Sequence, residues 1–152
     1  NVAHLQLHRR ARALGRLAKA LEVGEGTEGA ILLSVGTMVN VLVPLLHQAI
    51  VEGRGGEGAS GGHGEREDSG ASGKEANVAE ASVRVLGLLA RRLPWSQYRQ
   101  LLARFMRSMR NATRASSEDG AGKDGKGKGA IRAVCAILEN FHFLSKGGTA
   151  AV

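Results

Sequence analysis

Residues Asn77–Met109, NVAEASVRVLGLLARRLPWSQYRQLLARFMRSM, decide the class of fold. Ala79, Val83, Leu86, Ala90 and Leu93 recur at three- and four-residue spacing, and after Pro94 the pattern restarts with Tyr98, Leu101, Leu102, Phe105 and Met109. That period puts the apolar side chains on one face of each of two helices. Asn77 and Glu80 have the spacing of a capping box for the first, and Ser96 can cap the second. The linker Leu93-Pro94-Trp95-Ser96 is short, so the two helices are expected to form a hairpin. Trp95 is expected to wedge the turn with its ring buried over both helices; an exposed, partner-binding Trp95 is the alternative.

Outward from this hairpin the same period continues. Leu7, Ala11, Leu14, Ala18 and Leu21 stripe a first helix over residues 2–22, with Arg9, Arg10, Arg12, Arg16 and Lys19 covering much of the rest. Thr27 and Glu28 offer a cap and a dipole-favoured acid for a second helix, striped by Ile31, Val35, Val39, Leu42, Leu46 and Ile50. Leu32, Leu33, Met38, Val41, Val43 and Leu45 make this helix apolar nearly all round, which predicts that it is the buried member of its pair. Pro44, lacking an N–H, predicts a kink or a break near Val43. A fifth helix is expected over 130–145, with Ile131, Val134, Leu138 and Phe141 facing inward.

Between these segments the composition changes. Gly53 to Gly73 holds nine glycines, and Ser116 to Gly129 is a mixture of glycine, lysine and acid. Neither has apolar surface to offset the entropy of ordering, so 52–76 and 115–129 are predicted to be disordered insertions, with a tail over 146–152. No strand-like alternation competes with the helical stripes. The fold class expected is all-α: a HEAT/armadillo-like α-solenoid segment of antiparallel helix pairs, 2–51 and 77–114, with a further helix from 130. An isolated helix bundle is the competing fold. The chain begins at Asn1 with a helical pattern already running, which suggests a piece of a longer solenoid domain spanning 1–152.

Of 152 residues, 43% are hydrophobic, enough to bury a core, while 22 glycines and 3% aromatic residues mean that much of the chain does not join it. The one cysteine, Cys135, excludes an internal disulfide framework and fits a reducing compartment. The most apolar stretch, 30–50, is interrupted by Gly36, Asn40, Pro44, His47 and Gln48, which argues against a membrane span and for a soluble intracellular protein.

The net charge of +7 is unevenly placed. Six acids against three bases between Glu52 and Glu75, and a balanced 116–129 segment, leave +10 on the remainder. From Arg84 to Arg114 there are eight arginines and no acid. Such a surface attracts nucleic-acid phosphates or acidic protein segments; a merely solvated helix face is the plainer alternative.

Catalytic constellations are missing. His4 and His8 share a helix face, but no third metal ligand accompanies them. Cys135 and His142 lie two turns apart, about 10 Å along a helix axis, too far for a nucleophile and its base. Cys135 is therefore expected as a small core residue and His142 as a ring packed between Phe141 and Phe143. Gly53-Arg54-Gly55-Gly56 and Gly125-Lys126-Gly127-Lys128-Gly129 lack the full phosphate-loop pattern after a strand. Glu22, Glu80 and Glu139 are isolated, so no carboxylate pair is available for acid–base work. No catalytic residue, metal or cofactor is expected, and no enzyme.

Two segments, Val78–Met106 and Ile131–Phe143, resemble the Down-Regulated-In-Metastasis region of the very large HEAT-repeat protein numbered twenty among the U-three small nucleolar RNA-associated proteins, part of the small-subunit processome. In that family an Arg-Arg-Leu-like helix end is followed by Trp-x-x-Tyr and a basic helix. A later helix reads Arg-x-x-Cys-Ala-Ile-Leu and closes on Phe-His-Phe. Arg91, Arg92, Leu93, Trp95, Tyr98, Arg132, Cys135, Ala136, Ile137, Leu138, Phe141, His142 and Phe143 occupy the matching positions. Leu42, Pro44, Leu45 and His47 are similar to the family's Leu-x-Pro-Leu stretch, while the glycine-rich inserts have no counterpart.

The resemblance implies a non-catalytic scaffold of the nucleus and nucleolus that supports small-subunit processome assembly and pre-ribosomal RNA processing. Implied partners are pre-ribosomal RNA, small nucleolar ribonucleoprotein and ribosome-assembly proteins, with no small-molecule substrate and no membrane. The RNA or partner contacts expected are Arg99, Arg104, Arg107, Arg110 and Arg114, which lie outside the apolar stripe of the fourth helix. Trp95, Tyr98, Phe141, His142 and Phe143 are the structural marker. The alternative function is a protein–protein adaptor or transport-receptor-like solenoid that never touches RNA.

Overall fold

A computed structural model of the chain describes residues 2–23, 33–51, 69–118 and 124–143, with side chains over 6–23, 33–51, 77–114 and 127–143. These residues form five helices and, among them, no strand. Helix α1 is Val2–Glu22. Helix α2 runs through 35–51 in three stretches: Val35–Thr37, a π-helical turn Met38–Leu42, and Val43–Val51. Helix α3 is Ser69–Ala90, α4 is Trp95–Glu118 and α5 is Asp124–Glu139. The class is all-α, as the periodicity predicts.

Several boundaries differ from expectation. Helix α3 starts at Ser69, so Asn77 and Glu80 lie inside it and form no capping box. Ser69–Ala76, α4 beyond Arg114 and α5 before Ala130 are helical where insertions are predicted; backbone period can continue through small and polar residues with no apolar stripe to announce it. Helix α5 ends at Glu139 rather than 145. Residues 52–68, 119–123, 144–152 and the proposed cap at Thr27 and Glu28 lie outside the described residues. The observed start of α2 is capped by Ser34, whose Oγ accepts the Thr37 N–H at 3.1 Å.

Pro44 does not break α2. The π turn precedes it, with the Val43 N–H donating to the Met38 carbonyl five residues back. In a regular α-helix the Pro44 ring would clash with the carbonyl of Asn40 and leave that carbonyl without its donor. Widening the preceding turn by one residue changes the backbone spacing at that point, so the helix takes up the proline with an internal bulge.

The pairing also differs from the predicted hairpins. Helix α3 packs along α1 on one side and along α5 on another, and α2 lies against α3 and α5. Helix α4 packs chiefly on α5, with only a narrow contact to α2. The expected partners α1 with α2, and α3 with α4, do not run side by side. The most enclosed helix is α3, not α2. Val78, Ser82, Val85, Leu86, Leu89, Ala90 and Leu93 are buried around α3 and its end, whereas Val41 and Leu45 of α2 are half exposed. Small residues explain the difference: Ala79, Ala81, Ser82, Gly87 and Ala90 let neighbours approach α3 from several directions, while the bulkier α2 has only one side covered.

Two glycines set the closest approaches. A Cβ on Gly87 would lie 2.8 Å from Asn140 Nδ2 and 3.2 Å from the Ala136 carbonyl oxygen, and one on Gly129 would lie 2.5 Å from the Ile50 carbonyl oxygen. Helix α5 therefore reaches the backbones of α2 and α3 through its small side, and Ala130, Ala133 and Ile137 are its buried residues. The predicted stripe is rotated by one residue, about 100°. Ile131 and Leu138 are about half exposed, and Cys135, expected in the core, is exposed on the same grounds: it lies two positions from both Ala133 and Ile137. The stripes predicted for α1, α3 and α4 face inward or partly inward as expected.

Polar ties join the helices. The guanidinium of Arg92 donates to the carbonyls of Leu21 and Val23 at 2.8 and 2.9 Å, closing the end of α1. Buried Ser82 donates back to the Val78 carbonyl. His47 of α2 and Ser108 of α4 meet at 2.8 Å, with the His47 ring tilted against Phe105. No described helix is long and apolar enough to cross a membrane.

Candidate nucleic-acid interface

Helix α4 carries the five arginines singled out from the sequence. At 100° per residue, Arg99, Arg107, Arg110 and Arg114 fall within an arc of about 80°, across from buried Tyr98, Leu101 and Phe105, while Arg104 sits further round. All five are exposed. The stripe from Arg99 to Arg114 is about 22 Å long at 1.5 Å per residue.

Arg9, Arg10 and Arg16 of α1 and Arg91 are exposed as well, whereas Arg84, Arg92 and Arg132 are tied to other groups. Arg84 is paired with Glu22, its Nε donating at 3.1 Å, and Arg132 reaches Glu80 at 3.0 Å. Arg92 closes α1. Among the described residues, the side chains of Arg99, Arg104, Arg107, Arg110 and Arg114 have no hydrogen bond or ion pair. Five unneutralised charges along one helix make a field that would favour a polyanion.

Beside this stripe, between α4 and the π turn of α2, is a groove of about 570 Å³. Val39, Val43, Leu93 and Leu101 give it an aliphatic floor, and Gln97, Gln100, Arg104 and Arg107 line its edge. Arg104 is thus separated from the stripe in direction and belongs with the groove.

The marker residues come together at the start of α4. Trp95 stacks on Tyr98 with ring centroids 6.0 Å apart, and the edges of Phe141 and Phe143 meet Trp95 at 6.2 and 5.1 Å. Tyr98 also meets both phenylalanines. Four rings from distant parts of the sequence form one cluster because α5 lies along α4 and ends beside its first turn. Trp95 does not wedge a hairpin: its side is 49% exposed. His142 is exposed and lies against Phe143 at 4.0 Å, with no ring contact to Phe141, so it does not sit between the two phenylalanines.

Tyr98 is the anchor beneath. Its hydroxyl donates to the Ile137 carbonyl at 2.9 Å, and burial pushes the phenol above the ordinary tyrosine value. A pKa raised by folding contributes stability in full below the unfolded value near 10, and that stability is lost as pH rises toward the folded value. Stability measured by chemical denaturation should therefore decline above about pH 10, and Tyr98→Phe should flatten that decline while losing the Ile137 hydrogen bond.

The remaining candidates do not converge. His8 Nε2 accepts from Arg12 Nη2 at 3.0 Å, while the side chain of His4 lies outside the described residues. No group of metal-ligating side chains occurs among the described residues. Cys135 and His142 are both exposed and make no contact with each other. Sequence reasoning missed the His47–Ser108 link and the groove. Neither has a local signature, since each needs α2 and α4 brought together over some sixty residues.

No protein-family model matches the chain, and no solved structure matches it.

Proposed function

We propose that the chain is a non-catalytic segment of a helical-repeat scaffold that binds RNA during assembly of the small ribosomal subunit, within the nucleolus. The observation that carries the RNA contact is the set of five exposed arginines on α4 without acidic partners, four of them aligned along one side of the helix. The resemblance of Val78–Met106 and Ile131–Phe143 to the small-subunit processome scaffold supplies the biological setting. In favour of a solenoid, α1, α3 and α5 lie in succession with α3 in the middle. Contacts between every second helix are what stacked repeats make with their neighbours.

Replacing Arg107, Arg110 and Arg114 together with Ser should weaken RNA binding and reduce the slope of log affinity against log salt by about 2 to 3. Fluorescence anisotropy of a labelled RNA over a salt series measures both. Unchanged affinity and slope would remove the contact role of this helix while leaving the all-α fold untouched.

The second reading is a protein–protein adaptor that does not touch RNA, and the groove favours it. An aliphatic floor edged by Arg104 and Arg107 suits an acidic segment with an aliphatic anchor. Under that reading the triple replacement leaves RNA binding unchanged, whereas Val43→Glu in the floor abolishes capture of such a segment.

A further inference from the structure

We infer that Trp95 is a stacking platform for an unpaired RNA base. This rests on the RNA-binding reading above and specifies the form of RNA: single-stranded, with at least one base turned out against the protein.

Half of the Trp95 side chain faces solvent although three other rings lie beside it. The same cluster fixes it. Tyr98 stacks beneath at an interplanar angle of 16°, and Phe141 and Phe143 meet it edge-on at 76° and 67°. Tyr98 is itself fixed by its bond to Ile137. An indole held from several sides has little side-chain freedom left to lose when a ligand stacks on it, which is the condition for stacking to give net affinity. Phe141, 37% exposed, and exposed His142 extend the aromatic surface.

The charge around the ring selects among occupants. Arg91 lies four residues before Trp95 in the turn, and Arg99 lies one helical turn after it; both are exposed. Arg99 also begins the arginine stripe, so a strand with a base on Trp95 has cationic side chains leading onward along α4. Glu139, the carboxylate two residues before Phe141, lies two positions from buried Ile137, about 200° around α5 and away from the covered side. Aromatic faces interleaved with arginine are the means by which proteins hold unpaired nucleotides, whereas the stacked bases of a duplex offer no free face to an indole.

The protein has one tryptophan, so its fluorescence reports on this position alone. The full 152-residue chain is titrated with single-stranded oligouridylate, with duplex RNA of equal length and with polyglutamate, following tryptophan emission alongside anisotropy of the labelled ligand. Oligouridylate should quench Trp95 and duplex RNA should not. Trp95→Ala should weaken oligouridylate binding about tenfold, and Trp95→Phe should retain most of it. Circular dichroism identifies a variant that fails to fold; in that event quenching of the unmodified chain decides. Binding of oligouridylate without quenching overturns the platform and leaves the RNA reading standing. Absence of any RNA binding overturns both. Quenching by polyglutamate and not by RNA assigns the surface to an acidic protein and overturns the proposal.

Discussion

Gly129→Val should destabilise the fold by about 3 kcal/mol, read as a lowered urea midpoint at unchanged slope. Glycine inside a helix is ordinarily a liability: replacing it with alanine gains up to about 1 kcal/mol through lost unfolded-state freedom and better helix propensity. Here the gain is outweighed. A Cβ at Gly129 would stand 2.5 Å from the Ile50 carbonyl oxygen and 3.3 Å from Ile50 Cγ2. The first of these is backbone near the end of α2 and cannot swing aside, so α5 must lift off α2. Gly15 in α1 makes the opposite case, with nothing within 4 Å of its would-be Cβ. Gly15→Ala should raise stability by about 0.5–1 kcal/mol under the same measurement, and a fall at both positions would show that the close approach at Gly129 is not the cause.

Phe105→Ala should cost about 3–5 kcal/mol, a large share of the roughly 5–15 kcal/mol by which domains of this kind are stable. The ring is fully buried, and only Tyr98 among the enclosed side chains is larger. It sits where α4 meets α2, with the His47 ring 5.1 Å away. Removing it leaves a void at an enclosed position where α4 meets α2, so the lost burial and the cavity both count against the fold. Met106→Ala, one residue along on the exposed side of α4, should change the melting temperature very little. Comparable losses from the two substitutions would place the core of α4 elsewhere.

Much of the fold is legible in the sequence where an apolar stripe is strong. Tyr98, Leu101 and Phe105 on α4, or Leu86, Ala90 and Leu93 at α3, declare both the helix and its inner side. Where burial is achieved by small residues the stripe misleads. In α5 the large residues Ile131 and Leu138 suggest one side, yet Gly129, Ala130 and Ala133 win because close backbone approach brings more atoms into contact than bulk on a more distant side. Helix partners are less legible still. A four-residue linker suggests a hairpin of α3 and α4, but nothing local reveals that α5 offers α4 the better surface. The site follows the same division: the arginines are visible as a charge pattern, whereas the half-exposed state of Trp95 depends on Phe141 and Phe143 arriving from more than forty residues away.

The position of α5 also bears on how the protein is made. Tyr98 finds its acceptor, and α4 its main neighbour, only in residues that the ribosome delivers after α4. From Phe105 to Phe143 there are 38 residues, roughly 2 to 8 seconds of synthesis at 5–20 residues per second. During that interval the inner face of α4 has only its narrow contact with α2 for cover. A nascent polypeptide in that condition is a natural client for chaperones, and truncation before α5 should yield an aggregating product rather than a smaller folded one.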